Sequence, residues 1–378
     1  MWRAPTILVV AILILVAIGV VMLASAGSAD AGRQTAPPDF LQKQLIWLAV
    51  AICAGVASAV LIDYHWWRKL AVPLLVIGVI GLLAVFVPHV GCKVNGARRW
   101  VQLLGFRGQP SEFSKFAVIV ALASWMTHAG RRATSLRDGL LIPVGILGVV
   151  LLLVMGEPDY GTTLLIAVVG MTIMLLGGTR ILHLFVVSST GAVMFLLAIL
   201  HNEERTRRFF AFLNPAQYLQ EGYQLRQSLN ALVLGGGSGS GLGRSLQKCG
   251  YLPEARTDFI FPIIGEELGI AATLAILVLF VVFFICGTVI SLRASDTFGR
   301  LLGLGITVMI TVQAAINIGV VTGCLPTKGL PLPFISAGGS NLVVALLCSG
   351  VLVNIAFHSE GAVEDDHTQV IRDSLHWG

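Results

Sequence analysis

The chain has 378 residues, 56% of them hydrophobic and only 12% charged, with a formal net charge of +5. Soluble domains carry about 25% charge, so a water-soluble globule of this composition is excluded. A hydrocarbon layer of about 30 Å takes roughly 20 apolar residues to cross, and the sequence supplies such runs repeatedly.

In chain order they lie at 6–27, 45–62, 71–88, 113–127, 140–156, 161–178, 181–200, 262–290, 301–323 and 342–357. The expected fold class is an all-α polytopic integral membrane protein with ten transmembrane helices. One membrane domain covers 1–357, with a large extracytoplasmic loop, 201–262, between spans 7 and 8. A re-entrant segment separates spans 9 and 10, and 358–378 is a short tail. The first run is longer than a signal-peptide core and reads as a retained span. An even number of spans puts both termini on one side. With the N-terminus inside, ten basic residues fall on inner loops and fourteen on outer loops. Loops longer than about 60 residues cross regardless of charge. Setting aside 201–262 leaves seven outside, which favours an inner N-terminus. The basic outer face suits an anionic substrate or lipid phosphates.

The first outer motif is GCKVNGARRW (91–100). Arg98 and Arg99, with Asn95 nearby, can grip pyrophosphate oxygens through paired hydrogen bonds. They could equally anchor the interface, with Trp100 in an aromatic belt. Glu112 and Lys115 on the fourth span are three apart and share a helix face. Charge inside an apolar segment is expensive and usually functional, so they line a cavity or form a structural ion pair. Glu157 and Asp159, around Pro158, read as a solvated turn ahead of an oxygen-ligand cation site. Gln224, Gln227 and Ser228 in YQLRQSL fall on one helical face and suit sugar hydroxyls or amides.

The run GGGSGSGLG (235–243) can bend tightly and bring backbone N–H groups to an anion, or act as a hinge. It lacks the Lys-Ser/Thr ending of a nucleotide loop, so nucleotide binding is rejected. Lys248 beyond it is a candidate phosphate contact. Asp258 stands where the chain leaves water, and partial burial there should raise a carboxylate pKa toward a useful value. Thr257 or Asp258 could instead cap the following helix. Glu266 and Glu267 lie about two turns further, a rise of roughly 12 Å, as cavity lining and scaffold. PTKGLPLPFIS (326–336) has three prolines and reads as a rigid non-helical piece, with Lys328 and Ser336 facing substrate or serving a stiff connector. The six cysteines have no metal-ligand spacing; Cys92, Cys249 and Cys324 could pair or stay free.

Taken together, GCKVNGARRW, QPSEFSK, EPDYGT, YQLRQSL, GLGRSLQKCGYLPEARTDFIF, GEELG and LPTKGLPLPFISAGGS resemble the SEDS (shape, elongation, division, sporulation) family of bacterial wall growth. The resemblance covers nearly the whole chain, in order, and is nearer the division-type branch than the elongation-type branch. It implies ten spans, both termini cytoplasmic, in the bacterial cytoplasmic (inner) membrane. The implied activity is polymerisation of lipid II into glycan strands, with release of undecaprenyl pyrophosphate. Asp258 matches the family's essential acidic position, and Glu112 and Lys115 match an acid and a lysine near its central cavity. A divalent cation, Mg²⁺ or Mn²⁺, is implied by the resemblance alone. The implied partners are a class B penicillin-binding protein transpeptidase, other division proteins and membrane lipids, with no nucleic acid. Arg256, Pro262 and SAGGSN (336–341) depart from the family's usual His, Ala and SYGGSS. A lipid II flippase, a scaffold and an elongation-type polymerase are the competing readings.

Overall fold

A computed structural model describes residues 3–31, 40–88, 90–94, 97–103, 106–201, 203–213 and 218–375. The helices are α1 (Arg3–Ala31), α2 (Phe40–Val56), α3 (Tyr64–Lys69), α4 (Ala71–Ala84), α5 (Pro110–Ala129), α6 (Ile142–Gly156), α7 (Tyr160–Leu176) and α8 (Ile181–Leu200). They continue with α9 (Glu203–Leu213), α10 (Tyr223–Gly235), α11 (Ile260–Leu292), α12 (Thr297–Val321) and α13 (Gly339–Leu375). Among the described residues seven helical stretches are long and apolar enough to cross a membrane, and Ala71–Ala84 and Tyr160–Leu176 are shorter apolar helices. This is the helical architecture of a multi-pass membrane protein.

The outer stretch after α4 adds something that an all-α reading leaves out. Strands β1 (Gly91–Val94), β2 (Ala97–Leu103) and β3 (Phe106–Gly108) form an antiparallel sheet in the order β1-β2-β3. Cys92 pairs with Trp100 and Gln102 with Arg107. The sheet runs straight into α5, whose Pro110 stands at the start of the helix, where its missing N–H costs nothing.

Helix boundaries follow local chemistry. Asp63, Asp159 and Asp296 cap α3, α7 and α12 through the N–H groups of His65, Thr162 and Gly299. One buried apolar core runs through α1, α5, α7, α11, α12 and α13, and α12 lies at its centre, packed on α5, α7, α11 and α13. Leu13, Val60, Leu152, Leu182 and Val278 face outward, which is the orientation a lipid solvent rewards. The connection from α12 to α13 is irregular yet buried: Leu330, Leu332, Phe334 and Ile335 are all almost fully enclosed. Among the described residues all six cysteines are free thiols.

The turn between α2 and α3 is fixed from a distant helix. Asn354 of α13 is buried; its Oδ1 accepts from Tyr64 N at 2.8 Å and its Nδ2 donates to Ala59 O at 2.9 Å. Leucine at 354 would leave both backbone groups unpaired, at about 1–3 kcal/mol each. Asn354→Leu is therefore expected to lower unfolding stability by roughly 2–4 kcal/mol, measured by denaturation in detergent. An unchanged midpoint would show that the bridge is not needed.

Candidate active site

Residues 253–259 form a run of turns leading into α11. The N–H groups of Thr257 and Phe259 donate to Glu254 O at 3.2 and 3.1 Å, and Thr257 Oγ1 donates to Glu254 Oε2 at 2.7 Å. From the other side, Ser336 Oγ donates to Thr257 O at 2.6 Å and Ala337 N to Arg256 O at 2.9 Å. Asn317 Nδ2 donates to Asp258 O at 2.8 Å. The backbone of Asp258 is thus held by α12 and by the irregular connection at once.

Its side chain is left free. Phe259 is the residue preceding α11 and no side chain caps the helix, so Asp258 is not spent on capping. The residue is half-buried, and no hydrogen-bond donor among the described residues meets its carboxylate. Gly329 lies directly against it: a Cβ there would come within 2.5 Å of Asp258 Oδ2, so only glycine lets the connection approach so closely. Burial, with Glu254 and Asp159 nearby, pushes the Asp258 pKa up to about 7, while Arg99 opposes the rise.

Behind this segment runs a buried polar thread. Lys115 Nζ lies 2.8 Å from Glu112 Oε2 and donates to Gln313 Oε1 at 2.7 Å. Gln313 Nε2 donates to Pro331 O at 2.8 Å. One turn along α12, Asn317 Nδ2 reaches Leu330 O at 2.6 Å as well as Asp258 O. The link from Lys115 to Asp258 is therefore indirect, through two amide side chains on one face of α12. Neither amide stands out among catalytic residue types, but polar groups four apart in an apolar span were the available signal.

A second wall comes from α6, α7 and β2. Arg99 donates from Nη2 to Pro158 O at 2.6 Å and from Nε to Glu157 O at 3.3 Å. Asp159 accepts from Thr162 N at 3.2 Å, from Thr162 Oγ1 at 2.9 Å and from Gln109 Nε2 at 3.2 Å. Glu157 and Asp159 are 0% and 2% exposed, so the expected solvated turn is instead a buried corner. The α6–α7 junction packs inside the bundle, where a short apolar helix cannot hold its ends in water. Lys328 is half-buried, its ammonium 4.8 Å from the Phe195 ring centroid of α8. Burial lowers its pKa and Asp159 opposes that.

Other expected residues are placed elsewhere. Arg98 and Arg99 are consecutive in β2, at the register shift where Lys93 pairs with Arg98 and Cys92 with Trp100. Arg98 is exposed while Arg99 holds the Pro158 carbonyl. Asn95 lies outside the described residues. Gln224, Gln227 and Ser228 lie on α10. Ser228 is buried and donates to Val321 O at 2.6 Å, whereas Gln227 accepts from Asn230 Nδ2 at 3.3 Å. Ser336, which also accepts from Leu332 N at 2.8 Å, is committed to the connection.

The glycine run does gather an anion, but the chain's own. Glu266 accepts from Leu246 N at 2.8 Å and from the Ser245 hydroxyl. Glu267 accepts from Gly243 N at 3.1 Å, Ser25 Oγ at 2.6 Å and Lys248 Nζ at 2.6 Å. The run closes on the break in α11 at Gly269, whose φ of 77° requires glycine. Lys248 is consumed by this buried ion pair, which takes it away from the phosphate role expected of it.

Known proteins share this sequence and fold. Residues 5–361 match the FTSW_RODA_SPOVE family model, described as cell cycle protein. A probable peptidoglycan glycosyltransferase FtsW of Trichlorobacter lovleyi is 40% identical over 352 residues, 93% of this chain and 92% of the relative. Stage V sporulation protein E of Bacillus subtilis is 38% identical over 355 residues, 93% and 97% of the two chains. A solved chain of a peptidoglycan synthase complex that coordinates polymerization and crosslinking superposes with a TM-score of 0.77 at 24% identity, covering 93% of this chain and 97% of that one. The rod shape determining protein RodA of Thermus thermophilus gives 0.69 at 24% identity, covering 92% and 95%. At that identity both structures speak for the fold.

Removing one partner of a buried ion pair strands the other charge, at about 3–5 kcal/mol. Lys115→Met is expected to lose that much unfolding stability in detergent, and Glu112→Gln combined with it to recover part. A double variant no better than the single one would show that Glu112 and Lys115 do not act as a pair.

Proposed function

The chain belongs to the FtsW/RodA/SpoVE family of cell cycle proteins, and from that premise we propose a peptidoglycan glycosyltransferase that polymerises lipid II in septal wall synthesis. The observation that carries this reading is Asp258: a half-buried residue whose carboxyl meets no hydrogen-bond donor among the described residues and is pushed up to about 7, on a backbone fixed from two elements. A general base works best when its pKa lies near the working pH.

Asp258 takes the proton from the acceptor's 4-hydroxyl. The oxygen attacks the donor's anomeric carbon as the bond to pyrophosphate breaks. Undecaprenyl pyrophosphate leaves with the electron pair, and an α-linked donor becomes a β-linked product. Arg99 and Lys328, on the two sides of the acidic segment, offer positive charge to the departing oxygens. Arg98, Asn95, Gln224 and Gln227 remain for contacts to sugar or peptide at the rim. Ser336, Ser228 and Glu266 act through the backbone they hold, and Glu112 and Lys115 through the thread to Asn317. The resemblance also implies Mg²⁺ or Mn²⁺. Among the described residues no three His, Cys, Asp or Glu side chains converge as ligands, and each step above is assigned to residues.

In the membrane the seven long spans, the two shorter apolar helices and α5 make ten. Both termini are then cytoplasmic, 201–262 is outside, and the connection after α12 is re-entrant. The cytoplasmic membrane of a bacterium is the setting. A class B penicillin-binding protein is the partner that would cross-link the strands, and the likeness to a chain of a synthase complex supports it. The break at Gly269 and the irregular connection would also fit a transporter of lipid II, which makes no polymer in detergent.

Asp258→Asn is expected to abolish polymer formation from labelled lipid II in detergent while the protein stays folded and bound to its transpeptidase. In the wild type the rate should fall about tenfold per pH unit below about 7, because the base must be unprotonated. Polymer from the Asn variant, or a rate flat through pH 6–8, would sink the assignment.

A further inference from the structure

The corner at the α6–α7 junction contains a carboxyl that the reaction above does not use. Glu157 is 0% exposed, and neither of its oxygens meets a hydrogen-bond donor among the described residues. Its neighbour Asp159 is fully engaged with Thr162 and Gln109. The Arg99 guanidinium beside them donates to the main-chain oxygens of Glu157 and Pro158 rather than to the Glu157 side chain. A buried, unpaired carboxylate is costly, and such a group takes up a proton instead. The two carboxyls of the corner thus differ: Asp159 is satisfied by hydrogen bonds, while Glu157 is buried without one among the described residues and is pushed toward its neutral form.

The corner is electrically coupled to the catalytic segment. Asp258 feels both Asp159 and Arg99, and Glu157 feels the same two groups. Among the described residues Glu254 adds charge beside Asp258, and Lys328 on the connection beside Asp159. With Glu157 neutral, three carboxylates oppose two cations. With Glu157 ionised, a fourth negative charge faces an incoming pyrophosphate.

We propose that Glu157 is a charge-setting residue: its neutral form admits the pyrophosphate-bearing substrate, and its ionisation repels it. The inference rests on lipid II being the substrate, and it gives Glu157 a part in affinity, with no part in bond formation. Burial and the Asp159 charge push the Glu157 pKa up to about 8, against Arg99, which places the change on the alkaline side, above the titration of Asp258. The pyrophosphate diester itself does not titrate in this window.

The test is equilibrium binding of labelled lipid II, in detergent, to Asp258→Asn and to Asp258→Asn with Glu157→Gln, from pH 6 to pH 9. This background removes turnover and the titration of Asp258. The single variant is expected to lose roughly tenfold in affinity toward pH 9, the effect of one unit charge at about 10 Å in a medium of effective dielectric about 20. The variant carrying Glu157→Gln is expected to hold its affinity. Equal pH dependence in the two proteins overturns the proposal. If the double variant does not fold, the infrared carbonyl stretch of a protonated carboxyl decides in Asp258→Asn alone: it should disappear between pH 7 and 9, and a band unchanged over that range overturns the proposal. Polymer formation by Asp258→Asn would instead overturn the assignment of the base and leave the binding result standing on its own.

Discussion

One amide holds the site together. The Asn317 side chain, itself buried near the end of α12, donates to the carbonyls of Asp258 and Leu330 at once. Main-chain carbonyls left unpaired there would each cost about 1–3 kcal/mol. The two segments that carry Asp258 and Gly329 therefore cannot drift apart cheaply, and Gly329 can lie on the carboxylate because it has no side chain. Gln313, one turn away, repeats the arrangement on Pro331 and passes it to Lys115 and Glu112. Glu112 and Lys115 are thereby tied to the connection beside Asp258 through Gln313.

The acidic residues divide into two kinds by what surrounds them. Glu266 and Glu267 are wrapped by backbone N–H groups, Ser25, Ser245 and Lys248, and they fasten the glycine run to the break in α11. Asp258 and Glu157 have no such partners, and both are pushed toward neutrality. A carboxyl that is structurally satisfied is a poor proton acceptor, because its charged form is already stabilised. The unsatisfied pair is where proton chemistry is available. The substitution of Arg256 for the family's histidine falls next to this region, where its guanidinium donates to Ala26 O at 3.1 Å.

Much of the membrane architecture was legible because a 20-residue apolar run is a strong physical signal. The run 181–200 coincides with α8, and 262–290 with the body of α11. Asp258 is singled out in the sequence by its place at the mouth of a span and by resemblance. The sheet 91–108 was readable only from an Asn-Gly pair between strand-forming runs, and the hold of Arg99 on the Glu157 and Pro158 carbonyls depends on how the α6–α7 corner packs. Lys248 and Gly243, at the end of the glycine run, both meet Glu267, 19 and 24 residues away in sequence, a pairing that spacing alone does not reveal. The burial of Glu157 and Asp159 was not readable, since a Pro-containing turn looks solvated until the helices around it are packed. Gln313 and Asn317 carry no catalytic signature; their role exists only because the connection 322–338 folds back onto α12.

The most direct measurement is the kinetics of lipid II polymerisation by Asn317→Ala against the wild type, with substrate binding followed separately. Loss of the shared amide should let Asp258 move, and misplacement by about 1 Å costs on the order of a hundredfold in rate. The expected result is a fall in kcat of that size with lipid II affinity preserved. A folded Asn317→Ala protein that polymerises at the wild-type rate would contradict the claim that this amide positions the base.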